Sequence, residues 1–129
     1  MKYEWVEHTS ELELHAEAES EVLVLHATMR ALAELFGSAT GEPQAHEIEL
    51  AAEDRAVLLV EWLEELVFLA ETAAFVPEGA ELVLDNTSLR GTVRGRTGNP
   101  RPLVKAVTYH RLAFEEDNGR WHARVVLDV

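Results

Sequence analysis

The sequence predicts an α+β fold: a single layered domain over residues 1–129, mostly antiparallel sheet with two amphipathic helices, in the order β-β-α-β-α-β-β-β-β. Two stretches carry apolar residues at helical spacing, and the remaining stretches alternate apolar and polar residues as strands do. Most predicted strands are joined by short turns, which is typical of hairpins and not of parallel crossovers. With 129 residues, 47% of them hydrophobic, the chain is long enough to bury one core.

The first predicted elements are two strands joined by a tight connection. The strands cover Tyr3 to Glu7 and Glu11 to Ala18, and His8-Thr9-Ser10 lies between them. Alternation in the second strand places its polar side chains on one solvent face: Glu11, Glu13, His15 and Glu17. Carboxylates in such a row repel one another unless a cation or a basic partner lies nearby.

Two helices flank the third predicted strand. The first helix lies between an N-cap at Ser20 and a terminating Gly37. A loop over Ser38 to Gln44 leads to a strand from His46 to Ala52, and a second helix then runs from its cap at Asp54 to about Thr72. The wide apolar stripe of this helix indicates a central core helix, and its acidic residues are most simply its solvated face: Glu61, Glu64 and Glu65.

A second hairpin is predicted after a break in the pattern at Pro77 to Gly79. It begins around Leu82, turns at Asp85 to Ser88 and returns over Leu89 to Gly95. The following loop, Gly95 to Pro102, is glycine-rich and basic, but it lacks the Gly-Lys-Ser/Thr ending of a phosphate-binding loop. We therefore expect a mobile, positively charged contact loop there.

The carboxyl end, Leu103 to Val129, is predicted to form one long β-hairpin closed by Asn118-Gly119. Asn-Gly between alternating runs favours a type I′ turn, which needs positive φ at both central residues. The resulting register gives five opposed pairs: Asp117 with Arg120, Phe114 with Ala123, Leu112 with Val125, His110 with Leu127, and Tyr109 with Asp128. Asp128 therefore lies at the open end of the hairpin. If Val129 is the natural end of the protein, its terminal carboxylate lies just beyond Asp128.

The net charge of −13 is unevenly distributed along the chain. Residues 1–89 hold 20 acidic and 3 basic residues, whereas residues 90–129 hold 4 acidic and 8 basic residues. Such a chain is a poor candidate for binding nucleic acid on its own, because that binding depends on a basic surface. An acidic surface better suits a basic protein partner or a hard metal ion.

Several other classes of protein are disfavoured by composition. The chain has no cysteine, so it has neither a disulfide framework nor a thiolate metal site. Its amino terminus lacks the apolar core of a signal peptide, and no run approaches the roughly 18 apolar residues of a membrane span. A cytoplasmic protein without membrane contact is the expectation.

Carboxylates form the one candidate chemical centre. Glu7, Glu11, Asp128 and the Val129 terminus converge if the first strands lie beside the last one, and ligation by oxygen alone suits Mg²⁺, Ca²⁺ or Mn²⁺. The alternative is that these acids are simply exposed to solvent. The six histidines show no zinc-ligand spacing, and no serine lies in a Gly-x-Ser-x-Gly elbow, which argues against a zinc site and a nucleophilic hydrolase.

Four motifs, in order along the whole chain, resemble those of the archease family. Glu7-His8-Thr9-Ser10-Glu11 is similar to its Glu-His-Thr-Ala-Asp signature, and Val60-Glu61-Trp62-Leu63-Glu64-Glu65-Leu66 to its Val-Asp-Trp-Leu-Asn-Glu-Leu helix. Val104-Lys105-Ala106-Val107-Thr108-Tyr109-His110 resembles its Val-Lys-Ala-Val-Thr-Tyr-His strand. The ending Val126-Leu127-Asp128-Val129 resembles its hydrophobic-Asp-hydrophobic tail.

The resemblance implies an archease fold and a role as a non-enzymatic protein cofactor. Archeases activate the GTP-dependent RNA ligase of tRNA splicing and RNA repair, promoting guanylylation of its active-site histidine and multiple turnover. The implied partner is that ligase, and RNA is met only through it. A second role associated with the family is chaperone-like modulation of a tRNA methyltransferase. A third hypothesis, a metal-dependent phosphohydrolase, lacks a clustered His/Asp motif.

The resemblance also implies the site residues. Carried over, the family's metal site consists of Glu11, Asp128 and Val129, with Ca²⁺, Mg²⁺ or Mn²⁺ as the ion. The matched motifs further suggest residues that contact the partner or support the site: Glu7, His8, Lys105, Tyr109 and His110. Two positions depart from the family pattern, because Glu11 stands in place of Asp and Glu13 stands where Gly is frequent. The longer Glu11 side chain moves its carboxylate by roughly 1.5 Å, the length of a C–C bond.

Overall fold

The nine predicted elements are all present, in the predicted order, in a computed structural model that describes residues 1–129. Seven strands form two antiparallel sheets, one of four strands and one of three. The α+β prediction is therefore confirmed. In chain order the elements are β1 (Lys2–His8), β2 (Glu11–Ala18), α1 (Glu21–Phe36), β3 (Pro43–Ala51), α2 (Arg55–Ala73), β4 (Phe75–Asp85), β5 (Ser88–Thr97), β6 (Ala106–Asp117) and β7 (Arg120–Asp128).

The two helices begin and end where the sequence predicts. The Ser20 hydroxyl accepts a hydrogen bond from the Leu23 N–H at 3.3 Å, and Gly37 ends α1 with a φ of 100°. At the start of α2 the Asp54 carboxylate accepts a hydrogen bond from the Val57 N–H at 2.9 Å. These caps satisfy main-chain donors that have no partner within the helix. Neither helix is long and apolar enough to cross a membrane.

The helices join the two sheets into one core. The strand order is β1-β2-β7-β6 in the four-stranded sheet and β3-β5-β4 in the three-stranded sheet. α1 packs against β2 and β4, while α2 packs against β6 and β4. Trp62 of α2 is fully buried, and its indole N–H donates to the Leu25 carbonyl of α1 at 3.1 Å. This bond fixes the two helices against each other.

The break predicted at Pro77 to Gly79 is wrong, because β4 runs through it. The register of β4 against β5 shifts between Pro77 and Gly79, which marks a bulge. β4 is an outer strand of its sheet, where a residue without an N–H is tolerated. For the same reason β3 starts at Pro43, at the edge of the sheet and earlier than the predicted His46.

The loop predicted over Gly95 to Pro102 lies three residues further along the chain than expected. β5 continues through Thr97, and only the segment from Gly98 to Lys105 lies outside the strands. Main-chain hydrogen bonds attach that segment to the helices: Gly98 N–H donates to the Ala74 carbonyl at 2.8 Å, and Arg101 N–H donates to the Phe36 carbonyl at 3.1 Å.

The carboxyl-terminal hairpin has the predicted turn, but its register holds for only half its length. Near the turn, Asp117 opposes Arg120 and Phe114 opposes Ala123, as predicted. Beyond Ala113 the strand β6 bulges, and the residues Tyr109 to Leu112 have only Val125 opposite them in β7. Two of the predicted pairs are therefore wrong: His110 with Leu127, and Tyr109 with Asp128. The predicted pair of Leu112 with Val125 lies within the bulge, where neither residue has an assigned partner across β6 and β7.

The bulge corrects the position of Asp128 as well. Its partner in β6 is Ala106, three residues before Tyr109. Arg111, inside the bulge, has a φ of 54°, and its carbonyl accepts a hydrogen bond from the Arg124 side chain at 2.7 Å. The bulge shifts the phase of the alternation, since Val107 and Leu112, an odd number of residues apart, both pack against the core. The prediction assumed one unbroken register and so did not include the shift.

Candidate functional site

Glu11 and Asp128 face each other at one end of the four-stranded sheet. They are directly opposed across β2 and β7, and His8 of β1 opposes Glu11 on its other side. Side chains of opposed residues lie on the same face, with Cβ atoms about 4.5–5.5 Å apart. The row His8, Glu11, Asp128 and Ala106 therefore crosses the whole sheet on its outer face.

Main-chain hydrogen bonds hold the end of the chain in this row. The Val129 N–H donates to the Ser10 carbonyl, in the β1–β2 turn, at 3.1 Å. The Lys105 N–H donates to the Asp128 carbonyl at 2.8 Å. The residues predicted as metal ligands are thus brought to one edge of the sheet: Glu11, Asp128 and Val129.

The two carboxylates at this edge are of the chemical type that binds hard divalent cations. Neither the Glu11 nor the Asp128 carboxylate takes part in an ion pair or a side-chain hydrogen bond, and Asp128 is exposed. Carboxylate oxygens are the ligands that Ca²⁺, Mg²⁺ and Mn²⁺ prefer. No group of three or more His, Asp or Glu side chains is placed to hold a metal. An ion here would therefore need the Val129 carboxylate, main-chain oxygens or water as further ligands.

Glu13 lies next to this row on the predicted outer face of the sheet, but it is buried there and not exposed to solvent. Its side chain is only 8% exposed, because Arg111 reaches back from the bulge and covers it, with Nη2 at 2.5 Å from Oε1. The His15 ring nitrogen contacts Oε2 at 2.5 Å, and His8 Nε2 lies 3.8 Å from Oε1. Oε1 receives no aligned hydrogen bond from these neighbours.

The charge of Glu13 is stabilised by its neighbours despite its burial. The hydrogen bond with His15 lowers the pKa of the carboxyl below its ordinary value, burial opposes this by raising it, and the Arg111 charge lowers it further. Glu13 therefore stays ionised beside Glu11. The resulting cluster, Glu13 with His8, His15 and Arg111, separates the acidic end of the sheet from the rest of its outer face.

The residues predicted to contact a partner do not all join the site. Lys105, Tyr109 and His110 are exposed near the acidic end, and Tyr109 is 60% exposed. His8 lies in the same row as Glu11. Glu7 opposes Leu12, so it belongs to the other face of the strand and does not join the cluster.

Sequence reasoning missed the pairing of Glu13 with Arg111. The row of like charges on β2 indicated that a cation was needed. That cation could not be identified as Arg111 from the sequence. An unbroken hairpin register places Arg111 elsewhere along β7, and the bulge changes the position of every residue from Tyr109 to Leu112. Arg111 is instead positioned by its left-handed backbone conformation.

Comparison with known proteins agrees with the fold and with the motifs. The Archease protein family (MTH1598/TM1083) matches residues 3–129. "Protein archease" of Methanopyrus kandleri is 31% identical over 140 aligned residues, covering 100% of both chains. "Protein archease" of Methanothermobacter thermautotrophicus is 33% identical over 94 aligned residues, covering 67% of each chain.

Solved structures show the same architecture. The solution structure of Protein 1598 of Methanobacterium thermoautotrophicum is 25% identical and superposes with a TM-score of 0.71, covering 98% of each chain. The crystal structure of an archease from Thermotoga maritima, described as a "possible chaperone", is 23% identical with a TM-score of 0.68, covering 96% of this chain and 94% of that one. The family match, the full-length relatives and the shared fold show that this chain belongs to the archease family.

Proposed function

We propose that the protein is a non-enzymatic cytoplasmic activator of the GTP-dependent RNA ligase of tRNA splicing and RNA repair. It promotes guanylylation of the ligase's active-site histidine and so sustains multiple turnover. The observation that carries this proposal is the pair Glu11 and Asp128, which oppose each other at one end of the sheet with neither carboxylate neutralised by an ion pair. Membership of the archease family supports it.

Glu11, Asp128 and Val129 are the residues we propose as ligands for a divalent ion, Ca²⁺, Mg²⁺ or Mn²⁺. Such an ion supplies positive charge that stabilises phosphate oxygens. The chain's own contribution is orientation: the Ser10 carbonyl and the Lys105 N–H hold the last two residues in place at 3.1 and 2.8 Å. Held in this way, the carboxylates can enter a basic active site without first being ordered, which reduces the cost of association.

The proposal is tested by guanylylation and multiple-turnover ligation with the cognate RNA ligase. The proteins compared are the wild type, Asp128→Ala and Glu11→Ala. Asp117→Ala is the matched control, since Asp117 is an exposed aspartate at the other end of the same hairpin, about 26 Å along β7 from Asp128. Stimulation is expected to be lost in the first two variants and kept in the third.

Two other functions give different results. If the folded wild type does not stimulate the ligase, the activator role is wrong and chaperone-like modulation of a tRNA methyltransferase takes its place. That role depends on diffuse acidic charge, so Asp128→Ala should largely preserve it. Turnover of a phosphate ester by the isolated protein with Mg²⁺ or Mn²⁺ would instead support a metal-dependent phosphohydrolase.

Metal binding can be tested separately from ligation. Calorimetric titration of the wild type with Ca²⁺, Mg²⁺ and Mn²⁺ is expected to show binding that Asp128→Ala abolishes. Glu11→Asp shortens the side chain to the family residue, and it should preserve binding while changing the preference among the ions, because their bond lengths differ. Unchanged binding in Asp128→Ala would remove Asp128 from the ligand set.

A further inference from the structure

A pocket lies between the end of α2 and the Gly98 to Lys105 segment. Its volume is about 330 Å³, and its apolar lining includes Phe36, Val67 and Val104. Pockets that bind drug-sized ligands measure about 300–1,000 Å³, so this one has room for one or two large side chains. Its wall is fixed by the hydrogen bonds that attach the segment to Ala74 and Phe36.

Phe68 is an exposed aromatic residue of α2 that neighbours the pocket wall along the helix without lining the pocket itself. Phe68 follows Val67 and lies three residues before Glu71, and both of those residues line the pocket. Its side chain is 55% exposed, whereas Phe36 and Phe75 are buried in the core. Phe68 points away from the buried stripe of α2 and contributes no core packing. An exposed aromatic residue next to an apolar pocket is typical of an interface anchor.

The surroundings of Phe68 are strongly acidic. On a helix the surface neighbours of a residue are those three and four positions away, and for Phe68 they are Glu64, Glu65, Glu71 and Thr72. None of these glutamates forms an ion pair within the chain. α2 has only one basic residue, Arg55, at its first position. On its helix side this surface therefore suits a basic partner, while Arg101 of the Gly98 to Lys105 segment lines the opposite wall of the pocket.

The wall of the pocket is joined to the acidic end of the sheet through the main chain. Val104, in its wall, is followed by Lys105, whose N–H donates to the Asp128 carbonyl at 2.8 Å. A partner seated in the pocket therefore lies within two residues, along the main chain, of the strand end that carries Asp128.

We infer that Phe68 and the adjacent pocket are the docking surface for the RNA ligase. The occupant is a basic surface segment of the ligase that inserts one large apolar side chain beside Phe68 and places Lys or Arg against Glu64, Glu65 and Glu71. Docking and activation are then carried out by different residues: α2 supplies affinity, and the acidic end acts on guanylylation. The inference rests on the proposed function, since it names the ligase as the partner.

The test measures binding and activation of the cognate ligase with the same set of variants. Direct titration gives the Kd, and guanylylation at saturating protein gives the maximal stimulation. Phe68→Ala is expected to raise the Kd about 5- to 30-fold while leaving maximal stimulation unchanged. Asp128→Ala is expected to leave the Kd unchanged and to abolish the maximal stimulation. Val83→Ala is the control, because Val83 is 46% exposed on the other sheet.

Charge reversal tests the electrostatic half of the inference. The double variant Glu64→Lys/Glu71→Lys should slow association and weaken the salt dependence of the Kd, because steering by opposite charges is screened by salt. Since all the altered side chains are exposed, loss of the fold is not expected, and circular dichroism checks this.

The possible outcomes separate the two proposals. The docking surface is overturned if the Kd of Phe68→Ala lies within twofold of the wild-type Kd. It is also overturned if Val83→Ala raises the Kd as much as Phe68→Ala does. A wild type that does not bind the ligase overturns it too. If Phe68→Ala weakens binding while Asp128→Ala keeps full stimulation, the docking surface stands and the proposed role of the acidic end fails.

Discussion

Replacing Arg111 with alanine is expected to lower the free energy of unfolding by about 1–2 kcal/mol. The change leaves the Glu13 carboxylate buried without its guanidinium partner. Breaking a fully buried pair costs about 3–5 kcal/mol, whereas an exposed pair contributes about 0–1 kcal/mol. Glu13 is 8% exposed but Arg111 is 43% exposed, so water already weakens the interaction. His15, at 2.5 Å, remains to stabilise the charge.

Urea denaturation of a double-mutant cycle measures this effect. The cycle compares the wild type, Arg111→Ala, Glu13→Gln and the double variant at pH 7. Glu13→Gln removes the charge, so in its presence the loss of Arg111 should cost little. We expect a coupling energy of about 1 kcal/mol. Alanine adopts the left-handed backbone conformation of residue 111 about as poorly as arginine, so the backbone contribution should nearly cancel.

Additive losses, with a coupling energy below about 0.3 kcal/mol, would refute the reasoning. The pH dependence gives a second check. The hydrogen bond from His15 and the Arg111 charge hold the pKa of Glu13 below its ordinary value of 4.5. This contribution to stability is present above pH 4.5 and is lost as the pH falls through the folded-state pKa. The difference between wild type and Arg111→Ala should therefore close in acid.

Three further predictions concern the fold. Trp62→Phe removes a buried donor to an α1 carbonyl and leaves a gap, so urea denaturation should show a loss of about 1–3 kcal/mol. Burial lowers the pKa of His26 below its ordinary value of 6.5, so as the pH falls the unfolded chain binds a proton at this position before the folded chain does. Below pH 6.5 the melting temperature of the wild type should therefore fall more steeply than that of His26→Gln. A Cβ atom at Gly91 would lie 1.9 Å from the Glu81 carbonyl oxygen, so Gly91→Ala should fail to fold by circular dichroism. Gly79→Ala is the control and should fold, because a Cβ atom there meets nothing within 4 Å.

Local signals in the sequence predicted most of the fold. The caps at Ser20 and Asp54 and the turn at Asn118-Gly119 lie where their chemistry requires, because each depends only on residues within a few positions. The position of Pro77 was misjudged for the opposite reason. Whether proline is tolerated in a strand depends on whether the strand is an outer one, which is a property of the whole sheet.

The candidate site was predicted only in part. Glu11 and Asp128 were predicted through the archease resemblance, and the structure opposes them across β2 and β7. The hairpin register alone placed Asp128 opposite Tyr109, which is wrong. Burial of Glu13 by Arg111 was not predicted, because the prediction assumed one unbroken register and so did not include the bulge.

The bulge in β6 has a consequence for how molecules of this protein meet one another. β6 and β4 are outer strands of their sheets, and an unbroken outer strand offers a row of unpaired main-chain groups to a neighbouring molecule. The residues Tyr109 to Leu112 interrupt that row in β6, and Pro77 interrupts it in β4. These irregularities thus protect one edge of each sheet against edge-to-edge pairing, and a variant that straightened β6 would gain a regular strand together with a route to aggregation.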